Sequence, residues 1–551
     1  MNAGISTTAA RDADIARSGN GALAGTGTLI RFILRRDRIR IPVWIVAIVV
    51  SLVGVAQSYA DTFPTQSDLD SRAKLVDSPI FVAFNGPGYG LDNYTLGAMV
   101  ANEGLYLGVI LVALMSVFLV IRHTRAEEES GRAELIRSAA VGRHAGTVSS
   151  IVVVAAANVV VGLLAAAGLS SLEELDGTGS LTFGLSMTAA GLVFTAAAAI
   201  AAQVAEYARG AIGVGVAALG VTYVLRAIGD ISETGLSWVS PFAWSLETRA
   251  FVDERWWPLL LSLSLAVVVT YGAMVVSARR DVGGALVPPR PGRSRATSQL
   301  VRPVGLALRL QRGGLIAWAI GLALLGASFG PLVGDVGEFA AENEQLQDII
   351  AAAEGATVTE SFLGTVTRML ALITTGFAIQ SALRMRGEEI SGRVEPMLAT
   401  ALSRQRWVSG YLAVATGGSA LVMLAGSMLL GVTAAAGQQD ASLLFELLAG
   451  GVAYLPAIWV AAGVVVALFG VLPGVVKAAW LVLVYDVLVG LLGAPLGLDD
   501  SPARNLSPFG HVPQLPGVDF DALPIVVLVA VAGGLIGVGV AGFRRRDVQS
   551  S

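Results

Sequence analysis

Twelve long apolar runs divide this chain, and they restrict its fold more than any other feature of the sequence. A bilayer is crossed by about 20 apolar residues in a helix, whereas porin strands alternate apolar and polar residues over about ten positions. The runs are uninterrupted, so we predict an all-α polytopic membrane protein with twelve transmembrane helices. The predicted spans are residues 41–60, 104–121, 148–169, 182–204, 211–229, 257–277, 315–333, 362–383, 408–436, 443–468, 475–496 and 523–543.

Composition supports the same class of protein. Hydrophobic residues make up 54% of the chain and charged residues only 14%, against about one quarter in soluble proteins. Little length remains outside the spans, so we expect no large soluble domain. The chain has no cysteine, which excludes disulfides and thiolate metal sites.

Basic and acidic loops alternate along the chain. Arginines cluster in residues 31–40, 122–143 and 279–312, whereas acidic residues occupy the alternate loops at 61–77 and 335–348. Basic residues in short loops favour the cytoplasm. We therefore predict a multi-pass protein of the plasma membrane with both termini cytoplasmic.

The chain is duplicated. Residues 125–134 recur 261 positions later at residues 386–395, and both segments contain the order Glu-Glu-x-Ser-Gly-Arg-x-Glu. Other matched positions keep the same order in both halves: Arg38 with Arg312, Trp44 with Trp318, and Ser240-Pro241-Phe242 with Ser507-Pro508-Phe509. Because six spans is an even number, the two halves would insert in the same orientation, as parallel repeats.

These landmarks predict five segments. They are a cytoplasmic tail and amphipathic elbow (1–40), a first six-helix half (41–278), a cytoplasmic linker with a second elbow (279–312), a second six-helix half (313–546) and a short tail (547–551).

The two charged segments have two interpretations. They are either solvated loops that satisfy the positive-inside rule, or docking elements for a soluble partner. The repeated order favours docking, because ordinary inside loops are rich in arginine without a fixed pattern of carboxylates. Within a short surface helix, spacing of four residues would pair Arg125 with Glu129, Glu128 with Arg132 and Glu389 with Arg393.

At these residues the chain resembles the permease subunits of actinobacterial ABC-2 (type V) exporters, especially the fused permeases for tetronasin-like polyketide antibiotic and multidrug export. The arginine-rich elbow, the charged segment between spans two and three and the Ser-Pro-Phe segment before span six all match, twice over. The resemblance implies coupling helices that transmit force from separate ATPase subunits. The implied contacts are Glu127, Glu128, Gly131, Arg132, Glu134 and Arg143, then Glu388, Glu389, Gly392, Arg393, Glu395 and Arg404.

One position differs between the copies. Pro396 replaces Leu135, so we expect the second element to kink or to end one turn earlier.

The sequence contains no P-loop. That motif needs Gly-x-x-x-x-Gly-Lys-Ser/Thr, and Lys74 and Lys477 are followed by leucine and alanine. We therefore expect a transport subunit that is not an enzyme, with no cofactor of its own. ATP and Mg would be bound by two copies of a P-loop ATPase per chain, and we expect no nucleic-acid partner. The three histidines are scattered, so no metal site is expected.

Two charged side chains within predicted spans, and aromatic side chains in the outer segments before spans six and twelve, are pathway or gate candidates. Asp486 lies in span eleven and Arg226 in span five, so they either form a polar gate across a central pathway or fix helix packing. Trp238, Phe242 and Trp244, with Phe509 in the second half, are interface anchors or, by the resemblance, part of an outer gate.

Two functions follow. The favoured one is export of hydrophobic or amphipathic compounds, antibiotic-like, drug-like or lipid-like, powered by the docked ATPases. The alternative is a proton-coupled secondary multidrug transporter in which Asp486 carries the proton.

Overall fold

The computed structural model describes residues 21–77, 79–138, 141–279, 284, 286, 295–298, 300–333, 357–490, 505–515, 517 and 521–548, and its regular structure there is entirely helical. The chain forms two compact units, Met1–Pro291 and Gly292–Ser551. Over the described residues, eleven helices are long and apolar enough to cross a membrane.

The first unit begins with a short amphipathic helix and contains six of the candidate spans. Its helices are α1 (Thr26–Arg36), α2 (Arg40–Thr62), α3 (Gln66–Val76), α4 (Pro79–Asn85), α5 (Leu96–His123), α6 (Arg125–Glu129), α7 (Arg132–Arg137), α8 (Ala145–Leu169), α9 (Gly177–Val204), α10 (Ala208–Ile231), α11 (Pro241–Leu246) and α12 (Trp257–Arg279). The spans are α2, α5 continuous with α6, α8, α9, α10 and α12. All six match predicted spans.

The second unit contains the other five. Its helices are α13 (Pro303–Phe329), α14 (Val358–Ile390), α15 (Val394–Leu398), α16 (Arg404–Gln438), α17 (Ser442–Val471), α18 (Trp480–Gly490) and α19 (Ala522–Arg545). The predicted span 475–496 corresponds to a 3-10 helix, Pro473–Ala479, followed by α18, and its last residues lie outside the described part of the chain. Twelve spans were predicted, and eleven candidate spans are found in the described residues.

The same two spans form the centre of each unit. The second and fourth spans, α5 and α9 in the first unit and α14 and α17 in the second, are the most buried, whereas α12 and α19 are mostly exposed. Small residues permit the tightest contacts. In the first unit, Gly162 of α8 meets the Gly184 backbone of α9, with no room for a Cβ at either position. We read exposure of the outer helices as the surface that faces lipid.

The first helices of the two units differ. In the first unit the elbow helix α1 ends at Arg36 and α2 starts at Arg40, with Asp37 between them. In the second unit α13 is continuous from Pro303, which occupies the favoured first position of the helix. The predicted second elbow and the first span of the second half are thus one helix.

Pro396 does not shorten the second charged segment. Helix α15 ends at Leu398, the position that corresponds to Arg137 at the end of α7. The expectation of an earlier end was wrong, because Pro396 is the third residue of α15, in the first turn, where a backbone N–H has no partner within the helix.

Candidate functional site

The two charged segments share one backbone turn. Gly131 separates α6 from α7 with a φ of 73°, and Gly392 separates α14 from α15 with a φ of 70°. Only glycine adopts this left-handed conformation at little cost. The turn interrupts the helix at the same point of both copies, so each segment consists of the end of a membrane-span helix followed by a short helix, rather than one surface helix.

Each segment contains the same two ion pairs, one spanning three positions and one spanning five. They are Arg125 Nη1–Glu128 Oε2 (2.6 Å) and Arg132 Nε–Glu127 Oε2 (3.1 Å) in the first copy, and Arg386 Nη1–Glu389 Oε2 (2.8 Å) and Arg393 Nε–Glu388 Oε2 (2.6 Å) in the second. The expected four-residue pairing was wrong. The glycine turn brings the second arginine back to the carboxylate five positions before it.

The central carboxylates of both segments are buried in their own units. Glu388 is 2% exposed and Glu389 0% exposed, and Glu127 is also buried. A buried carboxylate needs a cationic partner to offset its lost hydration. Each has more than one: Glu127 also meets Arg36 of α1 at 2.6 Å, and Glu388 also meets Arg384 at 2.8 Å. Glu127 thereby fastens the first segment to α1, whereas the partners of Glu388 belong to α14 and to the second segment itself.

The residues after each glycine turn are the ones that face outward. Arg132 and Glu134 are exposed in the first copy, and Arg393 and Glu395 in the second. Leu135 is 75% exposed, an unusual position for a large apolar side chain beside charges. The predicted contact residues therefore divide into an inner set that holds each segment and an outer set that a partner could touch.

The two closing arginines have different environments. Arg404 donates to the carbonyl oxygen of Phe543 at 3.0 Å and of Arg546 at 2.5 Å, at the end of α19. Arg143 is exposed and lies beside His144, with its Nε 3.1 Å from the ring Nε2. Arg404 thus holds the C-terminal end of the second unit, whereas Arg143 belongs to the surface near the first segment.

A buried carboxylate that the sequence reading missed lies behind the first segment. Asp37, 3% exposed, accepts hydrogen bonds from Arg122 Nε at 3.0 Å and Nη2 at 3.1 Å, and its Oδ2 is 2.9 Å from His123 Nε2. Burial by itself would raise the pKa of Asp37, but the hydrogen bond and charge of Arg122, with His123, outweigh burial and lower it. A single aspartate within a run of arginines was the available signal.

A second missed pair joins the short helix α3 to the buried span α5. Arg72 donates to both oxygens of Glu103, at 2.9 and 2.6 Å. This two-point geometry is the strongest that a guanidinium and a carboxylate form. Glu103 lies before the predicted start of its span, and its ion pair lets α5 begin at Leu96 rather than at 104.

Arg226 is fully buried by partners of its own unit. It donates to the carbonyl oxygens of Val82 and Phe84 at 2.9 and 2.8 Å, and its guanidinium lies over the rings of Tyr223 and Phe242. These contacts join α10 to α4, which agrees with the helix-packing interpretation. A role for Arg226 in a pathway stays a prediction.

Asp486 is also fully buried, in the second unit. Its Oδ1 accepts a hydrogen bond of 2.7 Å from Ser507, in the repeated Ser-Pro-Phe segment. Phe509 of the same segment stacks on Tyr454 of α17. Asp486 thus fixes the Ser-Pro-Phe segment to α18, and its predicted pairing with Arg226 stays a prediction.

The predicted aromatic patch is partly exposed. Trp238 stacks on Trp257 with ring centroids 5.3 Å apart, and Trp244 donates from Nε1 to the Trp238 carbonyl oxygen. Trp238 and Trp257 are exposed, as interface anchors are, whereas Phe242 is fully buried against Tyr223. Among the described residues, no group of histidine and carboxylate side chains could hold a metal ion.

Comparison with known proteins identifies a family for this chain. Residues 300–544 match the family model for the C-terminal domain of multidrug efflux system permease Rv1217c. The multidrug efflux system permease protein Rv1217c of Mycobacterium tuberculosis is 39% identical over 530 residues, which cover 95% of each chain. At this identity and coverage the two share one fold. The chain therefore belongs to the family of multidrug efflux permeases that includes Rv1217c.

Proposed function

We propose that this chain is the permease subunit of an ABC exporter of the ABC-2 (type V) kind. It would move hydrophobic or amphipathic compounds out of the cell, and separate ATPase subunits docked on the two charged segments would drive it. The relative is named as a multidrug efflux permease, which supports a cargo of drug-like compounds. Both termini and both charged segments would face the cytoplasm, at the arginine-rich ends of the helices.

The observation that carries the proposal is the repeated construction of the segments. Both copies have the same glycine turn, the same two ion pairs and the same outward-facing Arg-x-Glu. A loop that only satisfied the positive-inside rule would have no reason to repeat buried carboxylates, since they cost hydration energy. A repeated rigid surface is what two identical soluble partners would need.

Transmission of force requires that each segment be firmly attached. The pair between Glu127 and Arg36 connects the first segment to α1, and Glu389 connects the second to the end of α19 through Arg546. Movement of a docked partner would then reach the spans rather than be absorbed in a loop. ATP and Mg would be bound entirely by the partners, two ATPase subunits per chain.

The test is reconstitution of the purified chain in proteoliposomes, with a P-loop ATPase from the neighbouring reading frame as the candidate partner. We expect co-purification at two ATPase subunits per chain and ATP-dependent dye export. Glu134→Arg combined with Glu395→Arg should abolish attachment, because two exposed carboxylates change sign while the ion pairs of Glu127 and Glu388 are kept. Arg406→Glu, an exposed arginine outside both segments, is the matched control.

Two results would count against the proposal. Unchanged attachment and ATP turnover in the doubly reversed variant would show that the segments do not receive the partner. Transport by the chain alone, driven by a proton gradient, would establish the secondary-transporter alternative.

A further inference from the structure

A basic, partly apolar groove lies along the first turns of α13. It encloses about 660 Å³, within the range of pockets that hold small ligands. Three arginines, Arg302, Arg309 and Arg312, line it beside Leu308 and Ile316, and no carboxylate of the described residues lines it. All three arginines are exposed. A cationic groove without its own anions is a site for an anionic ligand.

The three guanidiniums are free to bind such a ligand. Within the described residues, none of them donates a hydrogen bond or joins an ion pair, in contrast to the arginines of the charged segments. Gln311, between Arg309 and Arg312 in the sequence, carries no charge, and its side-chain oxygen accepts a hydrogen bond from Ser381 at 2.7 Å. No side chain in the described part of the unit therefore neutralises the positive charge of the groove.

The groove changes character along the helix. Arg302 and Arg309 are two turns apart and Arg312 follows one turn later, so the three share one face. Beyond Arg312 that helix has no charged residue, and Ile316, Ile320 and Leu324 are exposed. A phospholipid matches this surface, because its headgroup would meet the arginines and its acyl chains would meet the exposed apolar side chains.

The same pair of arginines occurs in the first unit. Arg35 and Arg38 precede Arg309 and Arg312 by 274 positions, the offset that also relates Trp44 to Trp318. Both are exposed, next to an exposed Ile39. Asp37, between them, is buried, and its carboxylate accepts a hydrogen bond from Arg122. The duplication indicates that these arginines meet something present beside both units.

We propose that the groove at the start of α13 binds the phosphate headgroup of an anionic phospholipid, with the acyl chains along the exposed apolar face of the helix. A phosphodiester offers two anionic oxygens to the planar donors of arginine. A zwitterionic headgroup adds a cation that three guanidiniums would repel. The ligand is therefore an anionic lipid of the surrounding bilayer, and the site is independent of the proposed coupling to ATPases.

The experiment is native mass spectrometry of the full-length chain in detergent, titrated with phosphatidylglycerol or with phosphatidylcholine. We expect a retained phosphatidylglycerol that binds at least tenfold more tightly than phosphatidylcholine. Arg309→Gln combined with Arg312→Gln should remove this preference, while Arg309→Lys with Arg312→Lys should keep most of it. Arg406→Gln, exposed but outside the groove, should behave as the unchanged chain does.

A second measurement distinguishes loss of lipid binding from loss of folding in the glutamine variant. Phosphatidylglycerol should raise the thermal unfolding midpoint of the unchanged chain and not that of the glutamine variant, with equal helical content of both by circular dichroism. Retained preference in the glutamine variant would overturn the proposal. Displacement of the lipid by millimolar glycerol phosphate would also overturn it, since the groove would then recognise a free phosphate rather than a lipid.

Discussion

Glu389 accepts two hydrogen bonds from Arg546, from Nη1 at 2.5 Å and from Nη2 at 3.0 Å, across 157 positions of the chain. Arg546 also donates to the carbonyl oxygen of Phe469 and lies over the rings of Phe469 and Phe543. One arginine thus joins the second charged segment to the ends of α17 and α19. The most buried carboxylate of the segment depends on it.

Replacement of Arg546 should loosen the second segment. In Arg546→Gln the buried Glu389 keeps Arg386 but loses its two-point partner, so we expect a loss of about 3 kcal/mol in the free energy of unfolding. Denaturation of the purified chain by sodium dodecyl sulfate would measure this loss. Arg545→Gln, exposed and one position earlier, should change it by less than about 0.5 kcal/mol. Equal effects of the two variants would contradict the assignment.

The glycine turns offer a test of backbone conformation alone. A Cβ at Gly131 or Gly392 would meet no other atom within 4 Å, so substitution acts only through the positive φ. Gly392→Ala should cost about 1 kcal/mol and Gly392→Asn less, because asparagine tolerates this conformation. The readouts are the unfolding free energy and, with the ATPase present, the ratio of transport to ATP hydrolysed.

Gly387 provides the matched control for that prediction. It lies within α14, also with open space around a Cβ, so Gly387→Ala should stabilise the chain by about 0.5–1 kcal/mol. If Gly392→Ala were also stabilising, the turn would not have the conformation described.

Asp37 should give a stability difference that depends on pH. Its pKa in the folded chain lies below the ordinary value of 3.8, so its contribution is complete above that value and is lost as the pH falls through the lower folded pKa. The difference in thermal midpoint between the unchanged chain and Asp37→Asn should stay constant from neutral pH to about pH 5 and then shrink below 3.8. A difference that changes between neutral pH and about pH 5 would assign the dependence to the neighbouring His123 instead.

Asp486→Asn separates the two transport mechanisms. An amide still accepts the hydrogen bond from Ser507, so the Ser-Pro-Phe segment should stay attached to α18. If ATPases drive export, transport in proteoliposomes should keep its full dependence on ATP and fall less than about tenfold. Complete loss of proton-driven transport, in vesicles without any ATPase, is the result expected only of a secondary carrier.

The apolar pattern predicted the helices well where charge and burial agreed. The run from 41 to 60 became α2 and that from 257 to 277 became α12, each within two or three residues. The second span was predicted to begin only at residue 104, after Glu103, because an isolated carboxylate is costly in a bilayer and its partner Arg72 lies 31 positions away. Such long-range pairing is not a local property of the sequence.

The charged segments were found by repetition, but their internal pairing was not. Helical spacing predicted partners four positions apart, whereas the turns at Gly131 and Gly392 bring together residues five positions apart. Positive φ at a glycine depends on the whole turn. The inward orientation of Glu389 depends on Arg546, which only the folded unit brings near.

The uninterrupted course of α13 has a mechanical consequence. Its 27 residues form one rod of roughly 40 Å, and any tilt imposed at Arg302 must swing the opposite tip at Phe329. In the first unit the corresponding region is instead divided between α1 and α2 at Asp37, whose carboxylate accepts a hydrogen bond from Arg122. A displacement at the start of α13 is therefore carried along the whole helix, whereas a displacement of α1 reaches α2 only through the residues around Asp37.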